Sequence, residues 1–366
     1  MIRILMVVHE MNRGGIENFI MNLYRTVDKN KIQFDFVVHT QEKCAFDEEI
    51  NELGGMIYHC PDYRVVNHFQ YIAWWNKFFS EHKEYKIVHS HLDSSANVHL
   101  RIAKKHNRIA IAHSHNSNDG VGLKGLVKSV LKFNFNSCCD YKFACSDKAA
   151  RWLFGKNATD IKIINNGINS EIYTYDNALR KKVLAEFAIN DKFVVGSVAR
   201  FNHQKNHQFI IDVFYEYKKH VPSAVLILVG DGDLKNEILE KTNKMNIDDS
   251  VIFTGVRSDI PELLNAFDLF IMPSFYEGLP VSVIEAQASG LKCLLSDTVT
   301  KEVDITGNVE FMSLEKSPKE WAEKIVSMLP YERKNTQQKI IDAGYDIKST
   351  AEWLTDFYLK LAEKDL

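Results

Sequence analysis

Cysteine is scarce: the 366 residues hold six, at 44, 60, 138, 139, 145 and 293, with no C-x-x-C spacing and mostly within apolar runs. That pattern points to buried thiols in a reducing compartment rather than a disulfide framework, and the expected location is the cytosol. Long hydrophobic runs are missing too. No stretch approaches the roughly 20 apolar residues of a membrane span, and the polar loop after Ile2–Val8 does not resemble a signal-peptide cleavage region. Any membrane contact would be peripheral. A net charge of -3 gives no case for nucleic acid as a partner. Proline is sparse at seven residues, and no proline-rich linker, low-complexity tract or internal repeat is present. Nor does a G-x-G-x-x-G fingerprint occur at the first strand, which argues against a nicotinamide enzyme.

The chain has 45% hydrophobic and 25% charged residues, an ordinary globular composition at a length that calls for two domains. Its charge is uneven. Residues 1–170 carry 22 basic against 17 acidic side chains, and the remainder 23 against 31. Short Val/Ile/Phe-rich runs alternate with helical patterns at Ile2–Val8, Ile32–Val38, Ile87–His91, Ile109–His113 and Tyr141–Cys145. A second series runs through Phe193–Ala199, Val225–Val229, Val251–Thr254, Leu269–Pro273 and Cys293–Ser296. Such alternation predicts parallel βα units, here an α/β fold of two tandem Rossmann-like domains. The expected boundaries are residues 1–170 with 350–366, and 171–349. The last helix, Thr350–Ala362, is a candidate to cross back onto the first domain. Ligands of such sheets bind beyond the carboxyl ends of the strands, so the loops there are where chemistry belongs.

The first of those loops is Asn12-Arg13-Gly14-Gly15, ahead of a helix with apolar positions Ile16, Phe19, Ile20, Leu23 and Val27. Backbone amides at such a helix start can receive a phosphate oxygen, although a glycine pair also suits a plain tight turn. After the strand that opens the second series come Arg200 and Lys205, two cations able to clamp a diphosphate, or simply two solvated surface charges. Further on stands Pro273-Ser-Phe-Tyr-Glu277-Gly-Leu-Pro-Val-Ser-Val-Ile-Glu285-Ala, two carboxylates eight residues apart around a turn and a helix start.

That Glu-x7-Glu motif resembles the signature of the family 4 retaining glycosyltransferases of GT-B fold, particularly bacterial enzymes of exopolysaccharide and capsule synthesis. The resemblance spans nearly the whole chain. It takes in Gly14-Gly15, Asn166-Gly167-Ile168-Asn169, Arg200 and Lys205, Gly230-Asp231-Gly232 and Phe253-Thr254-Gly255. It implies two domains facing across a cleft, transfer of a sugar from a nucleotide diphosphate donor (a UDP-sugar first, GDP-mannose second) to a glycan or lipid-linked acceptor, retention of configuration, and no metal or other cofactor. By position, Glu277 would contact donor-sugar hydroxyls and Glu285 the ribose. Gly15, Gly230, Gly255, Gly278, Leu279 and Val281 would line the donor, and His115 would lie near the reacting sugar. A carboxylate suits a diol because it accepts two hydrogen bonds. Two departures stand out: Asn169 where Asp is commoner, and Lys292 where Pro is usual. Alternatives on the same fold are a UDP-sugar 2-epimerase and a non-catalytic partner subunit.

Other features have two readings each. The pairs His89/His91 and His113/His115 end successive strands, and alternate residues of a strand share a face. Four imidazoles there would suit a metal, but no carboxylate accompanies them at hydrolase spacing, and none is expected. Asp231-Gly-Asp233 reads as a βα turn with Asp233 as helix N-cap rather than a manganese motif. The lysines at 124, 128 and 132, and Trp74, Trp75, Phe78 and Phe79, would suit a membrane or a lipid-linked acceptor, or the inner faces of ordinary helices.

Overall fold

A computed structural model describes residues 1–115 and 131–363. The described residues form two compact units, Met1–Gly167 with Asp346–Leu366, and Ile168–Tyr345. The amino-terminal unit holds seven strands: β1 (Ile2–Val8), β2 (Ile32–Val38), β3 (Ile57–His59), β4 (Ile87–Ser90), β5 (Ile109–Ser114), β6 (Tyr141–Ala144) and β7 (Ile161–Ile163). They lie in the order β3-β2-β1-β4-β5-β6-β7, and every pairing is parallel. The second unit holds β8 (Val194–Val198), β9 (Val225–Val229), β10 (Val251–Gly255), β11 (Leu269–Met272), β12 (Cys293–Ser296) and β13 (Val309–Met312), in the order β10-β9-β8-β11-β12-β13, again all parallel. Each is a doubly wound sheet whose order reverses beside its first strand, between β1 and β4 and between β8 and β11.

Burial on both faces explains why these strands are near-continuous apolar runs. Along β1, Ile4, Met6 and Val8 enter one core with the helix Gly15–Thr26, while Leu5 and Val7 enter another with Trp75, Phe79 and Leu100. Strands β3, β7 and β13 were not anticipated. Three or four residues long and sharing no fully buried pattern, they carry too little periodicity to be read alone.

The last helix, Ile347–Glu363, does cross back: Ile347, Ala351, Leu354, Tyr358 and Leu361 form one buried stripe in the core that contains the helix Gly15–Thr26. At about 2 kcal/mol for each large apolar side chain removed from water, the stripe offsets a substantial part of the entropy of ordering the helix and fixes which face docks. Among the described residues no helix is long and apolar enough to cross a membrane. Trp75, Phe78 and Phe79 are core residues, with Trp75 stacked on His99, which removes them from any lipid-facing role. Lys124 and Lys128 lie outside the described residues.

Candidate active site

The switch point of the second sheet brings together residues far apart in sequence. The segment after β8 carries Arg200 and Lys205, and the segment after β11 carries Glu277. Because β8 and β11 are neighbours, Lys205 Nζ reaches Glu277 Oε1 at 2.6 Å, with only 18% and 7% of the two side chains exposed. The solvated-surface reading thus fails for Lys205. Arg200 is exposed and its side chain makes no hydrogen bond or ion pair with a described residue, so its guanidinium is free to meet an anion.

Three residues that sequence reasoning did not single out hold this arrangement. Gln204 donates from Nε2 to the Tyr276 carbonyl at 2.9 Å and to Glu277 Oε2 at 3.3 Å, while its own carbonyl accepts from the Phe275 amide. Asn206 donates to the Pro273 carbonyl at 3.1 Å from a left-handed backbone (φ 55°) that ends the turn His203–Lys205. Tyr173 donates its hydroxyl to Glu285 Oε1 at 2.8 Å. An amide within five residues of a cation was the available signal for Gln204 and Asn206. Tyr173 had none, since only the fold brings position 173 to position 285.

Glu277 precedes the helix Val281–Ala288, and Glu285 sits in its second half. The dipole favours acids only in the first turn, so helix stabilisation does not account for Glu285. Burial pushes the Glu285 carboxyl up, and the Tyr173 hydrogen bond offsets part of that shift. Helix start and turn leave the amides of Gly278, Leu279 and Val281 without a partner among the described residues, an arrangement that receives anions. Replacing Tyr173 with Phe is expected to raise the donor KM about 3- to 10-fold with kcat little changed, the worth of one hydrogen bond. Steady-state kinetics decides it, and an unaltered KM would detach Glu285 from donor binding.

Gly230 and Gly232 are needed for close backbone approach. At φ +137°, Gly230 faces the Ala199 carbonyl, with which a Cβ would collide, and its amide donates to the Gly255 carbonyl at 2.9 Å. The Phe201 amide donates to the Asp231 carbonyl at 2.9 Å, so the turn after β9 buttresses the Arg200 loop. Gly230→Ala should cost about 3 kcal/mol, from strained φ and the clash together, and the urea midpoint measures it. Asp233 is not the helix cap: the helix starts at Lys235 after Leu234, with no side-chain cap, and it is Asp231 that holds the Gly232 amide and Lys235. Lys292 is anchored by its side chain on the Met328 carbonyl and by its amide on the Tyr331 hydroxyl, which fixes that loop without proline.

In the amino-terminal unit, Gly14 and Gly15 open the helix Gly15–Thr26 with extended backbone at Gly14 and open space beside Gly15. Glu17 folds over Gly14, and burial pushes its carboxyl up. The four strand-end histidines are gathered in one cluster, His89, His91 and His113 buried and His115 half-buried, with His91, His113 and His115 against the ring of Phe19. His115 pairs through Nε2 with His91 Nδ1 at 2.9 Å. Desolvation lowers the His115 pKa to about 4, partly offset by Asn166, so the ring is neutral at pH 7.

With this geometry in view, comparison with known proteins is direct. Residues 13–172 match the family described as Glycosyltransferase Family 4, and residues 192–330 match Glycosyl transferases group 1. The putative glycosyltransferase EpsF of Bacillus subtilis (strain 168) is 34% identical over 379 residues, covering 99% of this chain and 98% of its own. A UDP-Gal:alpha-D-GlcNAc-diphosphoundecaprenol alpha-1,3-galactosyltransferase of Escherichia coli is 26% identical over 302 residues, 76% of each chain. Among solved structures, Anabaena Alr3699/HepE in complex with UDP superposes with a TM-score of 0.78 at 18% identity, covering 98% of this chain and 100% of that one, a likeness of GT-B fold. Two family matches, a full-length relative and the paired Rossmann-like sheets converge: the chain belongs to the family 4 glycosyltransferases and is a glycosyltransferase of GT-B fold.

Proposed function

We propose that the chain transfers a sugar from UDP to a glycan or lipid-linked acceptor of the cell envelope, with retention of configuration. The observation that carries the donor assignment is the enclosed Lys205–Glu277 pair beside the free guanidinium of Arg200 and the open amides of Gly278, Leu279 and Val281. Cations and amides together neutralise a diphosphate, so no metal is needed at the phosphates. Glu277 accepts hydrogen bonds from the sugar and Glu285 from the ribose, with Gly230 and Gly255 supporting the loops around them. The amino-terminal unit receives the acceptor. The E. coli relative acts on a UDP-sugar and a diphosphoundecaprenol-linked acceptor, and HepE binds UDP, which supports this choice.

In the transfer the bond from C1 to the phosphate oxygen breaks. The acceptor hydroxyl bonds to C1 on the same face, and its proton passes to the departing phosphate oxygen. Lys205 and Arg200 stabilise the charge that builds on that phosphate.

Thermal unfolding of the full chain with UDP, GDP, ADP and their sugars, in EDTA, tests the donor. A ligand at 100 times its Kd stabilises by about 2.7 kcal/mol, a clear shift of midpoint. A selective rise with UDP or one UDP-sugar is expected; no shift with any nucleotide overturns the reading.

A further inference from the structure

The histidine cluster of the amino-terminal unit is more than the donor reading uses. His89 and His91 leave β4 and His113 lies on β5, and pairing in register sets their rings side by side, with centroids 4.3 to 5.4 Å apart. All three residues are essentially sealed from solvent. Yet His89 Nε2, His91 Nε2 and both ring nitrogens of His113 have no hydrogen-bond partner among the described residues. A single buried polar atom left so costs about 1–3 kcal/mol, and in native proteins such an atom usually marks a water, an ion or a functional role. Here four fall in one place, and one ligand nitrogen from each residue lies within 4.8 Å of the others.

The opposite edges of two rings are fixed. His89 Nδ1 meets the Tyr358 hydroxyl at 2.6 Å, and His91 Nδ1 meets His115 Nε2 at 2.9 Å. The Ile164 carbonyl lies near His113, outside hydrogen-bond geometry. An imidazole held at one nitrogen and bare at the other is the form in which histidine binds a metal, its second nitrogen oriented by a hydroxyl, carbonyl or carboxylate.

We infer that His89, His91 and His113 form a tri-imidazole site for a zinc-like divalent transition metal, oriented by Tyr358 and His115. Three neutral nitrogens suit zinc or cobalt rather than magnesium or calcium, which prefer oxygen. Ligand bonds of about 2.0–2.1 Å require the rings to close by about 1 Å, with a fourth position left to water. This departs from the expectation that the chain holds no metal. The site belongs to the amino-terminal unit, so it does not rest on the donor reading and assigns no metal to the diphosphate.

The test uses the full chain purified without chelator and assayed for metal by plasma mass spectrometry, then stripped and titrated with Co2+ and with Zn2+ alone. About one metal per chain is expected, with visible d–d absorption from Co2+ that Zn2+ abolishes. Tyr358→Phe removes only the hydroxyl and should weaken metal binding about 10- to 100-fold. His113→Leu should abolish it, with circular dichroism as the check on folding. If wild type takes up neither ion, or if a folded His113→Leu protein binds cobalt as wild type does, the inference is wrong. The wild-type titration decides even if the leucine variant fails to fold.

Discussion

Lys205→Ala is expected to lower kcat on the nucleotide-sugar about 10²- to 10³-fold, the usual worth of one group that stabilises charge in a transition state. The ammonium has two tasks: it holds Glu277 at 2.6 Å and faces the site proposed for the diphosphate. Its removal leaves an enclosed carboxylate without a cation, so Glu277 must take a proton or turn outward, and sugar positioning fails along with charge stabilisation. Glu277→Gln keeps the shape and one acceptor oxygen but loses the anion, and a loss of similar size is expected. Arg200→Lys should fall less in kcat and more in donor affinity, because a compact ammonium cannot make the two-pronged contact of a guanidinium. Single-turnover and steady-state rates with the donor identified by thermal shift separate these effects. Full transfer by Glu277→Gln would remove that residue from the mechanism.

The second large effect is on stability below neutral pH. Desolvation depresses His39, His99 and His207: His39 and His99 belong to a buried network with Tyr71 and Ser90, and His207 lies against Phe201 with nearby Lys205 adding to its shift. In the unfolded chain each titrates near 6.5. Below that value the unfolded state binds protons that the native state refuses, so the stability these groups confer is complete above pH 6.5 and declines as pH falls toward their folded values. For His207, lowered to about 4, the loss between pH 6.5 and 4 is about 3 kcal/mol. Glu17 and Glu285, raised by burial, act in the opposite sense but at lower pH. Urea midpoints should therefore fall steeply from pH 7 to 5, before most carboxylates titrate, and His207→Leu should flatten part of the slope. A midpoint constant over that range would show that these rings are hydrated and protonate freely in the folded state.

Most of the two-sheet architecture was written in the order of apolar runs, because a strand buried on both faces must be apolar throughout. Strands β1, β2, β9 and β12 have the ends that their Val/Ile runs suggest. The short strands β3, β7 and β13 escaped, since three or four half-buried residues have no period to detect. The capping role expected of Asp233 failed for a local reason: the helix begins one residue later, with Leu234 in the cap position, and the side chain that takes a backbone amide in this turn is Asp231, on Gly232.

Sequence alone determined the residue types of the site and their order along the chain: a glycine pair, two cations after one strand, two carboxylates after another, and four histidines at strand ends. It could do so because each type is tied to a βα turn, and such turns are marked locally by glycine, proline and the end of an apolar run. Which of these residues meet was decided only by tertiary structure. The adjacency of β8 and β11, non-consecutive in sequence, joins Lys205 to Glu277; the register of β4 on β5 gathers the imidazoles; and the packing of the last helix brings Tyr358 to His89. Sheet order and helix docking depend on burying both faces of a sheet at once, a sum over the whole core that no local pattern contains.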